Sequence, residues 1–148
     1  MYSIRELYRI GRGPSSSHTM GPANSASLFH QRLPQAHSFR IHLFGSLAAT
    51  GKGHLTDIAI QHSLAPFDVS FVWQPEYVPP FHPNGMRLEA LDTSGRVIGD
   101  WEVFSVGGGA LSENTATGWL TPSQPVYDDT TMNAILKHCA RSGQSFWE

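Results

Sequence analysis

The spacing of apolar and polar side chains predicts short helices and strands in alternation. Apolar residues recur at helical spacing over residues 24–33, and Ser17 or Thr19 is placed to cap this first helix. Strict alternation of apolar and polar residues then predicts a strand over residues 38–48. A second helix is predicted over residues 53–64. This order of helix, strand and helix opens the predicted fold.

The second half of the chain has the clearest pattern. A strand is predicted over residues 68–73, followed by a proline-rich loop at 74–85. Two strand-like runs in 86–109 flank "DTSG", which predicts an antiparallel hairpin with Gly95 in its turn. Residues 128–143 predict a final helix with an Asp or Thr cap, closed by glycine. The whole order indicates an α+β fold, a mixed or antiparallel sheet with helices packed on it.

Composition limits the class of protein. The chain has 148 residues, a net charge of −2 and one cysteine, Cys139. The length suits one domain, the charge argues against a nucleic-acid partner, and a single cysteine fits the reducing cytoplasm. The sequence predicts no membrane span and no signal peptide. Charged residues make up 15% of the chain, below the roughly 25% of typical domains, which favours a surface partly covered by a partner.

Four loops combine glycine or proline with hydroxyl, imidazole or amide side chains. They read "PSSSHTMGP", "GSLAATGKGH", "FHPNGM" and "FSVGGGA", at residues 14–22, 45–54, 81–86 and 104–110. Small residues let the backbone approach a ligand, and the polar side chains can bind it. Each loop alone is equally typical of a turn or a helix cap. Together, with few charged residues among them, they predict a site for a small zwitterion or carboxylate.

The second loop matches a phosphate-binding loop only in part. Five residues instead of four separate Gly45 from Gly51, and Gly53 stands where that motif needs Ser or Thr. A looser interpretation is that the strand ends at Leu47 and that backbone amides at the next helix start bind an anionic group. A simple turn without a ligand fits the same residues.

Metal-centre and hydrolase motifs are lacking in the sequence. Eight histidines include no pair with H-x-x-x-H spacing, and one cysteine cannot supply a zinc ribbon or a self-contained iron–sulfur cluster. No G-x-S-x-G nucleophile motif occurs.

The motifs "GPSSSHTMGP", "GSLAATGKGHLTD", "HPNGM" and "FSVGGG" in this order identify a known family. The chain resembles the β-chain domain of the iron–sulfur-dependent L-serine dehydratases, also called L-serine ammonia-lyases. The resemblance implies one domain over residues 1–148, with 129–148 leading toward a missing α domain. It also implies a fold similar to the allosteric substrate-binding domain of phosphoglycerate dehydrogenases.

The family converts L-serine to pyruvate and ammonia with a 4Fe-4S cluster and without pyridoxal phosphate. The resemblance places the cluster cysteines in the α domain or subunit, which this chain lacks, so we expect the chain alone to be inactive. It is either one subunit of a two-chain enzyme or a fragment, and the bare "SFWE" end favours the fragment. A homodimer is compatible with the family. We expect no nucleic-acid or membrane partner and a cytoplasmic location.

The same resemblance assigns site residues. One of two histidines is expected to act as the α-proton base or as a proton relay. Hydroxyl, amide and imidazole groups are expected to bind the serine carboxylate or amine. The catalytic candidates are His54 and His82; the substrate-binding candidates are Ser15, Ser16, Ser17, His18, Asn84 and Ser105. No metal ligand is expected in this chain.

Two neighbours of His54 have two interpretations each. Lys52 either screens the substrate carboxylate or is a surface lysine. Asp57 either fixes the tautomer of His54 or stabilises the first turn of the helix. Two other functions are also compatible with the sequence, a serine-binding regulatory module and a purely structural docking subunit.

Overall fold

The computed structural model describes residues 9–113, 128–145 and 147. The chain divides into two compact units. One unit comprises residues 9–121, and the other comprises residues 1–8 and 122–148. All the residues that we assign to the functional site lie in the first unit.

In the described part of the first unit, one helical segment precedes the first strand, and two helices connect the first strand to the second. A π-helical turn, Ser16–Met20, runs directly into helix α1, Gly21–Arg32. Helix α2 covers Gly45–Thr50, and helix α3 covers Thr56–Leu64. Proline is tolerated in the first turn of α1 because no intrahelical bond needs its missing amide there.

Five strands among residues 9–113 form one mixed sheet in the order β2-β1-β3-β4-β5. The strands are β1 (Ser38–Phe44), β2 (Asp68–Gln74), β3 (Gly85–Leu91), β4 (Val97–Gly107) and β5 (Ala110–Ser112). Strands β1 and β2 are parallel, because α2 and α3 carry the chain back across the sheet between them. All other neighbours are antiparallel.

The helices pack on one face of this sheet. Alternation along β1 sends Phe39, Ile41 and Leu43 to that face, where each is at most 1% exposed. Phe29 of α1 lies between the rings of Phe39 and Trp101, with centroids 6.1 and 6.2 Å away. The resulting core joins α1, α2 and α3 to the four strands β1, β3, β4 and β5.

The opposite face of the sheet is charged. Arg40, Glu89 and Asp100 lie side by side on β1, β3 and β4. Glu89 is 7% exposed, and its carboxylate lies 3.0 Å from an Arg40 nitrogen and 3.4 Å from Nε2 of His42. The charged side chains therefore lie on the face opposite the core, as period-two alternation requires, together with the buried Phe44, Leu91 and Phe104.

The α+β prediction is confirmed, and most elements match. The hairpin is correct, with Gly95 at a φ of +79° in its turn. The first strand was predicted too long, because it ends at Phe44 and "GSLAAT" forms α2. The three-residue strand β5 was missed, since three residues are too few to show a period. The predicted caps of α1 were wrong, because Ser15 caps the π turn instead.

The described part of the second unit contains helix α4, Met132–Ser142. Thr131 accepts a hydrogen bond from the amide of Ala134, and Gly143 ends the helix at a φ of +72°, as predicted. The prediction that both units form one domain stays a prediction. No helix in the described residues combines the length and apolar character needed to cross a membrane.

Candidate functional site

The first motif forms the π-helical turn before α1. The Ser15 hydroxyl accepts a hydrogen bond from the His18 amide at 3.1 Å, and the Ser15 carbonyl accepts from the amides of Thr19 and Met20. The amide of Gly21 donates to the carbonyl of Ser16 and closes the turn. Such π turns occur often at functional sites. Here the turn presents His18 toward the second motif.

Two buried threonines join the segments that carry His18 and His54. The Thr19 hydroxyl donates to the His54 carbonyl at 2.8 Å, and the Thr56 hydroxyl donates to the His18 carbonyl at 2.5 Å. Both threonines are at most 1% exposed. Each histidine backbone is thus fixed by a threonine from the other segment. Sequence reasoning considered Thr19 only as a cap and missed Thr56.

The His18 ring has a hydroxyl at each nitrogen. Nδ1 lies 3.0 Å from Oγ of Ser17, and Nε2 lies 3.1 Å from Oγ of Ser46. The His54 ring lies beside it, with centroids 4.8 Å apart and a 38° angle between the planes. Ser46, at the start of α2, was missed by sequence reasoning, although it follows directly on the first glycine of the second motif.

The electrostatics of the pair favour a neutral His18. Burial is the main cause that lowers the pKa of His18 below its usual 6.5, and the neighbouring His54 lowers it further, while a hydrogen bond with Ser46 opposes this. A neutral His18 leaves His54 free to accept a proton without a like charge beside it.

Hydrogen bonding assigns the tautomer of His54. Nδ1 lies 3.0 Å from the carbonyl oxygen of Thr50, which can only accept, so Nδ1 carries the proton and Nε2 has the free lone pair. Asp57 does not fix this tautomer, since its Oδ1 accepts from the Ile58 amide in the first turn of α3. Lys52 lies with Nζ 5.5 Å from the centroid of the Trp73 ring.

The backbone strain at the site is local. Leu55, directly after His54, has a φ of +57° and is 49% exposed. Leucine is rarely found in this left-handed region, and such residues cluster at functional sites. The constraint turns the chain sharply between His54 and α3.

Several backbone amides of the second motif, which is compatible with an anion site or with a simple turn, donate to protein carbonyls. The amide of Gly45 donates to the Tyr77 carbonyl at 2.8 Å, and that of Ser46 donates to the Pro83 carbonyl at 3.1 Å. The amides of His54, Leu55 and Thr56 also donate to protein carbonyls. These five amides are satisfied within the protein and are not available to a ligand.

The third motif docks on the second through these same bonds. Gly45 has a φ of +45°, and a Cβ there would lie 2.8 Å from the Pro83 carbonyl oxygen, so only glycine allows this approach. Nδ1 of His82 accepts from the Asn84 amide at 3.1 Å, so neutral His82 carries its proton on Nε2. Nδ2 of Asn84 donates to the Ser105 carbonyl at 3.3 Å.

The fourth motif lies beneath the first. Ser105 is 0% exposed, and its hydroxyl has no hydrogen-bond partner among the described residues. It faces Gly21 at the end of the π turn. Substrate binding by Ser105 stays a prediction, and it would require this packing to open. Ser16 is exposed, and no hydrogen bond of its hydroxyl is found in the described residues.

The structure therefore brings all four motifs into contact. His18 and His54 form its centre, with Ser15, Ser17 and Ser46 around them. His82 and Asn84 are linked to this centre through the start of α2 and through the Ser105 backbone.

The described residues contain few candidate ligands that lie close enough together for a metal ion. Among residues 9–113 and 128–145, no three His, Cys, Asp or Glu side chains are grouped to hold an ion. Cys139, the single cysteine, lies on α4. The described residues thus do not fit as the ligand set of an iron–sulfur cluster.

A family comparison identifies the class of protein. The model of the serine dehydratase β-chain family matches residues 3–72 and 61–116. These segments cover well over half of the chain, so the chain belongs to the serine dehydratase β-chain family.

Individual relatives agree with this family. The chain is 32% identical to an L-serine dehydratase of Streptomyces coelicolor, in a match that covers 95% of the chain and 38% of that protein. It is 32% identical to the L-serine dehydratase TdcG of Escherichia coli, over 98% of the chain and 41% of that protein. An L-serine dehydratase of Mycobacterium tuberculosis is 35% identical over 78% of the chain. The chain spans about two fifths of the first two relatives.

Proposed function

We propose that this chain is the β half of an iron–sulfur L-serine ammonia-lyase, which converts L-serine to pyruvate and ammonia. Family membership and the relatives named L-serine dehydratase support the proposal. The observation that carries it is the His18–His54 pair, because the reaction requires a base at the α-carbon. The rest of the active site belongs to a cluster-bearing α domain or subunit, in a protein suited to the reducing cytoplasm.

His54 is the base in this proposal. Its Nε2 lone pair takes the α-proton of L-serine, and the electrons of that C–H bond form the double bond to the β-carbon as the hydroxyl leaves. The hydroxyl departs as water with a proton that the His54 imidazolium returns, which restores the neutral base. The aminoacrylate then hydrolyses to pyruvate and ammonia. Neutral His18 places no charge against the imidazolium that forms on His54.

Other side chains have donor roles. Neutral His82 presents an N–H at Nε2, so it suits hydrogen-bond donation to the leaving hydroxyl. Asn84 keeps one amide hydrogen and its carbonyl oxygen for the serine carboxylate or amine. The hydroxyls of Ser15, Ser16 and Ser17 are further candidates for that carboxylate.

The cluster lies outside this chain in the proposal. The described residues do not fit as its ligands, and one cysteine cannot supply a ligand set. The α domain or subunit therefore holds it, and the steps above use only side chains of this chain.

The test is an activity assay of the assembled enzyme. This chain and its α partner are combined anaerobically, and pyruvate is measured with L-serine and with D-serine. Formation of pyruvate from L-serine that requires both chains supports the proposal. A loaded, correctly assembled enzyme that makes no pyruvate overturns it. This chain alone is expected to be inactive.

A second candidate, a regulatory module, is favoured by a cavity of about 390 Å³ between α1 and β5. Arg9, Asn24, Ser27 and Arg32 line it, and two guanidinium groups suit a carboxylate. A guanidinium nitrogen of Arg32 also lies 3.5 Å from a carboxylate oxygen of Glu113, whose negative charge partly neutralises the charge of Arg32. Calorimetric titration with L-serine tests this function. Stereoselective binding of L-serine by this chain alone supports a regulatory function if Arg32→Gln abolishes that binding. If the chain does not bind L-serine, the regulatory function is ruled out.

A further inference from the structure

Gly21 and Ser105 approach each other too closely for any side chain on residue 21. A Cβ built on Gly21 would overlap Oγ of Ser105 and would lie 2.9 Å from its Cβ. Real Cβ atoms do not reach such distances, so the helix start and strand β4 meet through the glycine hydrogens. Gly21 and Ser105 are both buried.

The glycine is required for space and not for backbone conformation. Gly21 has φ −56° and ψ −55°, which every residue adopts in a right-handed helix. Alanine would favour this helical conformation more than glycine does. Contact with Ser105 is therefore the feature that opposes a larger residue at this position.

Within the part of the chain that the structure describes, the Ser105 hydroxyl makes no polar interaction that would explain this close approach. Its oxygen is buried without a partner, and Asn84 binds the Ser105 backbone instead. Burying a hydroxyl without a hydrogen bond is unfavourable. Ser105 therefore contributes shape, because its Cβ and Oγ form the surface against which Gly21 packs.

Ser105 lies directly below the π turn that carries His18. The Gly21 amide donates to the Ser16 carbonyl and closes the π turn that contains His18. The distance between Gly21 and strand β4 therefore determines how far the His18 ring extends toward Ser46 and His54. A shift at Gly21 moves the turn that carries His18 and Ser17, and it thereby changes the distance from the His18 ring to Ser46 on α2.

We propose that Gly21 and Ser105 are a positioning pair, in which close packing of α1 on β4 places the His18 ring against Ser46 and His54. The assignment of that ring pair to catalysis rests on the proposed function. The packing relationship itself does not, so it can be tested on this chain alone.

The experiment compares four variants of the chain: Gly21→Ala, Ser105→Ala, Ser105→Gly and the double variant G21A/S105G. The readout is the NMR signal of the His18 imidazole as a function of pH, together with the melting temperature. His62, exposed on α3, is the internal reference.

Gly21→Ala is expected to lift the turn, move the His18 ring signals and raise the pKa of His18 toward its ordinary value, since burial and His54 hold it down. Ser105→Ala keeps the Cβ against which Gly21 packs and removes only an unpartnered oxygen, so the His18 signals stay and the melting temperature is unchanged or higher. In G21A/S105G, loss of the Ser105 side chain makes room for the new methyl group. The His18 signals and the pKa of His18 should then match those of Ser105→Gly. The His62 signals stay constant throughout.

Two results overturn the proposal. One is a Gly21→Ala variant that melts lower but keeps the parental His18 pKa, which indicates packing without positioning. The other is a double variant whose His18 stays displaced. In the assembled enzyme, Gly21→Ala should lower kcat at least tenfold, with partial recovery in G21A/S105G. An inactive parent enzyme would refute the proposed function and leave the NMR result standing.

Discussion

The imidazole rings of His18 and His54 face each other with centroids 4.8 Å apart, and each backbone carbonyl accepts a hydrogen bond from a threonine of the other segment. The two rings differ in the hydrogen bonds that their nitrogen atoms make. Hydroxyls lie at both nitrogens of His18, whereas the Nδ1 proton of His54 is directed to the Thr50 carbonyl. This difference distinguishes a positioned, neutral ring from a ring with a free lone pair.

The first prediction concerns the base. In the assembled enzyme, His54→Ala should lower kcat by about 10²–10⁴-fold, the usual contribution of a general base. The control is His62→Ala, an exposed histidine in the last turn of α3 that should keep parental turnover. Pyruvate formation is the measurement, with cluster absorbance checked in parallel. Near-parental turnover in His54→Ala would remove this residue from the mechanism.

The second prediction concerns stability against pH. Because burial and His54 lower the pKa of folded His18 below 6.5, the unfolded chain binds a proton there more readily than the folded chain. His18 therefore contributes no destabilisation well above pH 6.5, and it increasingly opposes folding as pH falls through 6.5 toward its folded pKa.

The measurement is urea unfolding of the chain between pH 7.5 and pH 5. The parent should lose more unfolding free energy over this interval than His18→Gln, in which the group no longer titrates. Equal losses in both proteins would show that folding does not perturb His18. The comparison isolates the pH dependence that requires an imidazole at position 18, including its interaction with His54.

The third prediction separates the serines of the site. Ser46→Ala removes the hydroxyl at Nε2 of His18 and should lower the unfolding free energy by about 0.5–1.5 kcal/mol, the usual net value of one hydrogen bond. Ser16→Ala is the matched control because that side chain is exposed, and it should change stability by less than about 0.5 kcal/mol. Chemical denaturation at pH 7.5 measures both. A larger loss in Ser16→Ala than in Ser46→Ala would contradict the hydrogen-bond assignment.

Several parts of this fold could be predicted from the sequence because they have local causes. Alternation identified β1 and the hairpin, and Gly95 and Gly143 marked the expected turns. Helix α2 was missed because "GSLAAT" continues the apolar pattern of the strand before it. The break comes from Gly45, whose positive φ and contact with Pro83 depend on a distant loop.

The sequence motifs identified candidate residues of the site, but they did not predict how those residues are arranged in space. The sequence indicated His18 and His54, but no local pattern shows that Thr19 binds the His54 carbonyl, 35 positions away. The same limit applies to Ser105, whose place in a motif favoured ligand binding. Only the packing of α1 on β4 reveals that its hydroxyl is buried against Gly21.

The last prediction concerns the charged face of the sheet. Glu89 is nearly buried there, beside Arg40 at 3.0 Å, His42 at 3.4 Å and Arg87 at 3.7 Å. Glu89→Ala leaves three basic groups without this carboxylate. Because Arg40 and Arg87 are 39% and 46% exposed, water compensates in part, and the expected loss of unfolding free energy is about 1–3 kcal/mol.

Glu102→Ala is the matched control, since Glu102 lies opposite Arg87 on β4 and is exposed. It should change stability by less than about 0.5 kcal/mol. Urea unfolding at pH 7.5 and at two salt concentrations measures both variants. The Glu89 effect should persist at high salt, because charges that are nearly buried are weakly screened. Equal effects of the two substitutions would show that burial of Glu89 adds nothing to its interactions with Arg40 and His42.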